Sequence, residues 1–339
     1  MTQFVDWELA AATAARLGGS GPRVTYTEAA ETVTELRRLA DEAAGHVEEF
    51  TGLRCPPDLP PIRVVDRADW AQANIDGLKN LFGTLVPRMV NQEPGLLTSL
   101  VGSKLTGAQA GTVLAFLSGK VLGQYEVFSG APGQLLLVAP NITEVQQQLG
   151  ADPRDFRLWV CLHEVAHRVQ FTAVPWMRGH FLGEIQAFAD ASQGDTEAFG
   201  ERMRKAFSAL SDDSVNLLDA VQTPEQKKVV ARLTALMTLL EGHAEFVMDG
   251  VGPQVVPSVE EIRAKFTARR SAANPIEKFI RRLLGIDAKL KQYTEGRKFV
   301  SAVVGEVGMA GFNKVFESPL TLPRTEELAD PAAWIARVQ

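Results

Sequence analysis

The segment CLHEVAHRVQF, residues 161–171, contains two histidines four positions apart, with a glutamate directly after the first. On an α-helix, residues four apart share a face, so His163 and His167 can present two imidazoles to a single cation. Glu164 is displaced by one position and points beside that cation, where it can hydrogen-bond a metal-bound water. The pattern therefore indicates metal-assisted hydrolysis with Glu164 as general base.

An ordinary helix with two unrelated histidines could have the same sequence. A third candidate ligand elsewhere in the chain would favour the metal site over this interpretation. The segment LLEGHAEFVMDG, residues 239–250, places Glu241, Glu245 and Asp249 at positions i, i+4 and i+8. They form an acidic stripe on one helix face. If the stripe faces solvent it is an unremarkable surface. If it faces the histidine pair, the first acid can bind the metal and the next can orient an imidazole. Two imidazoles and a carboxylate favour Zn²⁺.

The order HEVAH followed later by EGHAEF resembles the gluzincin arrangement, in which a glutamate on a later helix is the third zinc ligand. The resemblance makes Glu241 the ligand and Glu245 the residue that orients a ligand imidazole. A second assignment stays open, because EFVMD has the E-x-x-x-D spacing that gluzincins use. It makes Glu245 the ligand and Asp249 the orienting residue.

The likeness extends beyond the two motifs, to VDWELAAATAARL, GPRVTYTEAAETVTELRRLA, HVEEFTGL, HEVAHRVQFTAVPWMRGHF, EGHAEFVMDGVG and LADPAAWIARV. These blocks are similar to the bacterial zincin-like metallopeptidase type 2 family. One branch of that family, which the N-terminus resembles, is labelled coenzyme F-420 biosynthesis-associated. The resemblance runs nearly end to end and implies a zincin-like fold, an HExxH helix and a zinc cofactor.

Two further histidines have competing interpretations. His180, in PWMRGHFLGEI, is a candidate catalytic hydrogen-bond donor to the oxyanion formed at an attacked carbonyl; alternatively it only begins a helix or lies in a loop. His243 lies two positions after Glu241, about 200° round the helix, so it cannot share the ligand's face. We expect His243 to be a packed or hydrogen-bonded histidine.

The amino-acid composition is typical of a globular protein and argues against some classes of partner. The 339 residues are 45% hydrophobic and 22% charged, with a net charge of -6 and a pI near 5.5, which argues against binding nucleic acid or an anionic membrane. We find no apolar stretch of 18 or more residues, so no membrane span is predicted. The two cysteines, Cys55 and Cys161, are expected to stay reduced, which favours a cytoplasmic location.

The coarse pattern predicts a mainly α fold with a small β-sheet. Helices are expected over 3–18, from a cap at Thr27 to Gly52, from Arg67 through the 80s, after a cap at Asp152, and over 224–249. Short strands are expected near 62–66 and 134–139. We interpret residues 1–339 as one zincin-like domain, with a helical part to about 130, a metal-site core to about 250 and a helical C-terminal part.

The sequence thus predicts a zinc-dependent metallopeptidase or related hydrolase that acts on a peptide or small amide substrate. The alternative is a catalytically inactive zinc-binding partner or scaffold protein associated with coenzyme F-420 biosynthesis. The two differ in whether zinc-bound protein cleaves anything. The oligomeric state stays open.

Overall fold

The computed structural model describes residues 5–89, 96–191, 223–271 and 286–339, and the mainly α prediction is confirmed. The first half of the chain contains α1 (Trp7–Leu17), α2 (Tyr26–Thr51), β1 (Arg63–Val65), α3 (Arg67–Met89), α4 (Leu96–Ser118), β2 (Gly123–Glu126), β3 (Gln134–Val138) and α5 (Ala139–Leu149). The second half contains α6 (Pro153–Thr172), α7 (Met177–Asp190), α8 (Pro224–Val251), α9 (Val259–Ser271), α10 (Ile286–Phe312), α11 (Thr325–Ala329) and α12 (Pro331–Val338), with 3₁₀ turns at Asn313–Phe316 and Pro319–Thr321.

The three strands form one small sheet in the order β1-β3-β2. The central strand, β3, pairs in parallel with β1 and antiparallel with β2. Leu135 to Val138 are almost completely buried, which explains why β3 could be recognised as an apolar run. β2 was not predicted, because GQYE is short and polar and its strand conformation depends on pairing with β3.

The histidine motif lies on α6, a helix buried on most of its circumference. Asp152 caps it as predicted, since its side chain accepts a hydrogen bond from the Asp155 amide at 2.9 Å, and Pro153 occupies the first turn. Around α6, apolar side chains from α2, β3 and α8 form a continuous core that includes Leu36, Leu137 and Val247. Burial on several sides fixes both the position and the rotation of α6.

The start of α2 corrects one prediction. Its cap is Thr25 and not Thr27: the Thr25 side chain accepts from the Glu28 amide, and the Glu28 carboxylate accepts from the Thr25 amide at 2.7 Å. This reciprocal pair forms because the acid stands three residues after Thr25, a spacing that Thr27 lacks. Gly52 ends α2 in the left-handed conformation, as predicted.

One stretch, Glu295–Phe316, has the length and hydropathy of a membrane-crossing helix, with a mean hydropathy of 1.2 in its best window. By length and composition alone this is weak evidence, because buried core helices pass the same test. Here Phe299, Val300 and Val303 are fully buried in a core shared with Leu236 and Leu239 of α8.

The helices α8 and α10 cross at two glycines. A Cβ atom added to Gly242 would lie 2.1 Å from the carbonyl carbon of Gly296, and one added to Gly296 would lie 2.0 Å from the carbonyl oxygen of Thr238. No side chain fits between backbones at such a distance. The crossing point, Gly242, directly follows Glu241, so the crossing fixes the position of α8 next to Glu241.

We expect Gly242→Ala to lower the free energy of unfolding by about 1–3 kcal/mol, because the two helices must separate to admit a methyl group. Urea denaturation followed by circular dichroism measures the change. Gly45→Ala is the matched control, since a Cβ there meets nothing within 4 Å and helical alanine is favoured over glycine by roughly 1 kcal/mol. Equal stability of the two variants would contradict the close crossing.

Candidate metal centre

One turn of α6 separates the two predicted histidines, which brings their rings together. The rings of His163 and His167 stand edge to face, with centroids 4.8 Å apart, and their Nε2 atoms are 3.3 Å apart. Both side chains are mostly buried, with exposed fractions of 24% and 14%. The i, i+4 spacing therefore places two ring nitrogens beside one point that remains accessible.

Glu241 of α8 supplies a third atom at the same point. Its Oε2 lies 3.6 Å from Nε2 of His163 and 3.5 Å from Nε2 of His167, which closes a nearly equilateral triangle. Tetrahedral zinc with bonds of 2.0–2.1 Å would space its ligand atoms by about 3.3–3.4 Å. The three atoms thus match three corners of a zinc coordination tetrahedron.

The opposite nitrogen of each ring has its own partner. Nδ1 of His163 lies 3.1 Å from Sδ of Met248, and Nδ1 of His167 lies 2.9 Å from Oε1 of Gln170. A proton on each Nδ1 satisfies these contacts and leaves both Nε2 lone pairs directed at the centre of the triangle. Such partners hold a ligand imidazole in the orientation that a metal needs.

The triangle also stabilises positive charge. Burial by itself lowers the pKa of His167, but the Glu241 carboxylate beside it more than compensates and the pKa rises to about 9. The negative charge of Glu241, which favours a proton on His167, would equally favour a cation at the centre of the triangle.

Glu164 is part of α6, and its side chain lies against the edge strand of the sheet, β2. It is 7% exposed, and burial raises its pKa to about 7, with a further contribution from Glu241 that the neighbouring His167 opposes. Gly123 of β2 leaves the space for this side chain, since a Cβ on Gly123 would lie 2.6 Å from Cγ and 2.7 Å from Cδ of Glu164. The carboxyl group is thus enclosed by backbone and poised to exchange a proton near neutral pH.

The acidic stripe of α8 divides between two environments. Of its members, Glu241 is the one that joins the histidine nitrogens, while Glu245 lies half-buried one turn further along. Asp249 pairs with Arg263 and Arg297, each at 2.5 Å. The roles predicted for Glu245, as alternative ligand or orienting residue, stay predictions.

The two other histidines lie in different surroundings. His180 is on α7, where its ring packs edge to face against Trp176 with centroids 5.8 Å apart, and its role as oxyanion donor stays a prediction. His243 is completely buried, stacks on Phe312, and has its pKa lowered to about 3 by burial and by the nearby charge on His167. His243 is therefore a neutral, packed histidine, as its position on the helix suggested.

Three residues of this region were not singled out from the sequence. Gln170 contacts the imidazole of His167, Met248 contacts that of His163, and Gly123 lies against Glu164. Gln170 follows His167 at i+3, so helical spacing placed it within reach. Nothing in the sequence brings Met248 or Gly123 to the motif, because both contacts depend on tertiary packing.

We expect protein purified without chelator to contain about one zinc per chain, and His163→Ala and Glu241→Ala each to lose it. Each substitution removes one corner of the triangle, and two remaining ligands hold zinc weakly. Elemental mass spectrometry measures the content. Glu225→Ala, at the exposed start of the same helix, is the control. Retention of zinc in Glu241→Ala with loss in Glu245→Ala would move the ligand to Glu245.

Comparisons with known proteins identify the family of the chain and a similar crystal structure. The sequence profile of the zincin-like metallopeptidase family matches residues 5–335. A crystal structure from Chloroflexus aurantiacus, described as that of "a putative hydrolase with a novel fold", superimposes with a TM-score of 0.72, at 34% identity over 98% of both chains. Among curated proteins, none matches the chain. The profile covers nearly the whole sequence, and the chain belongs to the zincin-like metallopeptidase family.

Proposed function

We propose that this protein is a zinc-dependent hydrolase that cleaves a peptide or small amide bond. The observation that carries the proposal is the triangle of His163, His167 and Glu241, whose edges of 3.3–3.6 Å fit zinc, with the buried Glu164 next to the first histidine. Membership of a metallopeptidase family and the likeness to a structure described as a hydrolase support it.

The donor set suits the metal that the family implies. His163 and His167 would bind through Nε2 and Glu241 through Oε2, which leaves a fourth corner for water or substrate. When bound, zinc lowers the pKa of a coordinated water to about 7 and polarises a carbonyl oxygen. The chain contributes the fixed orientation of the ligands and their burial, which strengthens electrostatic interactions at the site.

Glu164 would act as the proton carrier. Its carboxylate takes one proton from the attacking water as the new carbon–oxygen bond forms. It returns that proton to the amine nitrogen as the carbon–nitrogen bond breaks, so the group ends as it began. A carboxyl group with a pKa of about 7 suits both transfers near neutral pH.

We expect Glu164→Gln to keep its zinc and to lose hydrolysis by about 10²–10⁴-fold, because an amide of the same size cannot take a proton. The assay incubates the protein with a mixture of unmodified peptides and follows cleavage by mass spectrometry. Zinc content in the same samples is the control for folding. A zinc-loaded Glu164→Gln variant with full activity would contradict the role of Glu164, and a wild type that binds zinc without cleaving peptides or small amides would favour the non-catalytic alternative.

We expect Gly123→Ala to keep its zinc but to slow hydrolysis by about 10–100-fold, because the added methyl group displaces the Glu164 carboxyl. The same peptide assay measures the change. Gly183→Ala on α7 is the matched control, since a Cβ there meets nothing within 4 Å. Unchanged activity in Gly123→Ala would show that the position of Glu164 is not limiting.

A further inference from the structure

Gln170 is a fully buried amide that contacts three groups. Its Oε1 lies 2.9 Å from Nδ1 of His167, and its Nε2 lies 2.8 Å from the carbonyl oxygen of Leu240 and 2.9 Å from Nδ1 of His243. Its exposed fraction is 0%, so these contacts are the whole environment of its polar atoms. Gln170 lies on α6, whereas Leu240 and His243 lie on α8.

The contact with Leu240 fixes the orientation of the amide. A backbone carbonyl oxygen only accepts hydrogen bonds, so the Gln170 atom beside it must be the NH₂ group. The amide oxygen then faces His167 and can only accept, which requires a proton on Nδ1 of His167. With Nδ1 protonated, Nε2 is the atom of His167 that is free to bind a cation.

We propose that Gln170 is a positioning residue for the metal site. It sets the tautomer and ring orientation of His167 and ties that ligand to the helix that carries Glu241. The inference rests on the proposed function, and it adds a residue that never touches the metal. The carbonyl it holds belongs to Leu240, directly before Glu241, so one amide connects ligands from both helices.

The decisive measurement is zinc affinity, by competition with a chromophoric chelator, on full-length protein freed of metal. We expect Gln170→Leu to bind zinc about 10–100-fold more weakly than the wild type. Asn141→Leu is the matched control: Asn141 is also a buried amide whose NH₂ bonds two backbone carbonyls, of Ser118 and Val121, and it lies outside the triangle. The control is expected to lose stability and to keep its zinc affinity.

Unchanged affinity in Gln170→Leu, or an equal loss in Asn141→Leu, would overturn the proposal, since the effect would then be absent or merely that of a looser core. Should Gln170→Leu fail to fold, Gln170→Glu serves in its place. A carboxyl oxygen at this position can still accept from Nδ1 of His167, whereas a methionine cannot. We therefore expect Gln170→Glu to bind zinc more tightly than Gln170→Met, and equal affinities would overturn the proposal.

A second readout does not depend on zinc. In protein labelled with ¹⁵N at histidine, we expect Nδ1 of His167 to carry a hydrogen-bonded proton with and without metal, and to lose that protected resonance in Gln170→Leu. An unprotonated Nδ1 in the wild type would overturn the proposal. If the wild type binds no zinc at all, the proposed function fails, and this resonance alone decides whether Gln170 orients His167.

Discussion

The convergence of two imidazole nitrogens and a carboxylate oxygen within 3.6 Å is the constraint on which the site depends. A positive charge offsets the repulsion between these lone pairs and the carboxylate, and the proton favoured by the raised pKa of His167 supplies one. The two histidines come from α6 and Glu241 from α8, so the fold must hold these two helices at a fixed separation. It does so with a shared apolar core on one side of α8 and the contact of Gly242 with Gly296 on another.

The sheet contributes through its edge strand. β2 is the strand whose pairing with β3 places Gly123 against Glu164. Its Tyr125 ring also stacks on Phe171 of α6, with centroids 5.6 Å apart. A three-stranded sheet would be a small contribution to stability on its own. Here its edge strand lies against the Glu164 carboxyl group, whose burial is the main cause of its raised pKa. The proton-transfer chemistry proposed for Glu164 thus depends on an element that the helical pattern of the sequence did not reveal.

Local information in the sequence predicted much of this molecule, and tertiary information accounts for the rest. The placement of His163 and His167 on one face follows from helical geometry alone, as do the caps at Asp152 and Gly52. The choice between Glu241 and Glu245 could not follow from it, because residues four apart share a face and only the depth at which α8 packs separates them. The same limit applies to Gln170, whose partner Leu240 is 70 residues away. β2 was missed because its pairing, and not its composition, makes it a strand.

The origin of the ligands in distant segments makes metal occupancy part of the folding equilibrium. His167 and Glu241 meet only when α6 and α8 are packed, so a cation bound by both has little affinity for the unfolded chain. Free zinc at about a thousand times its dissociation constant would add roughly 4 kcal/mol to the free energy of unfolding. That increment is comparable to a large part of the stability of an ordinary domain. Under the proposed function, the supply of zinc would therefore govern the lifetime of the folded protein as well as hydrolysis.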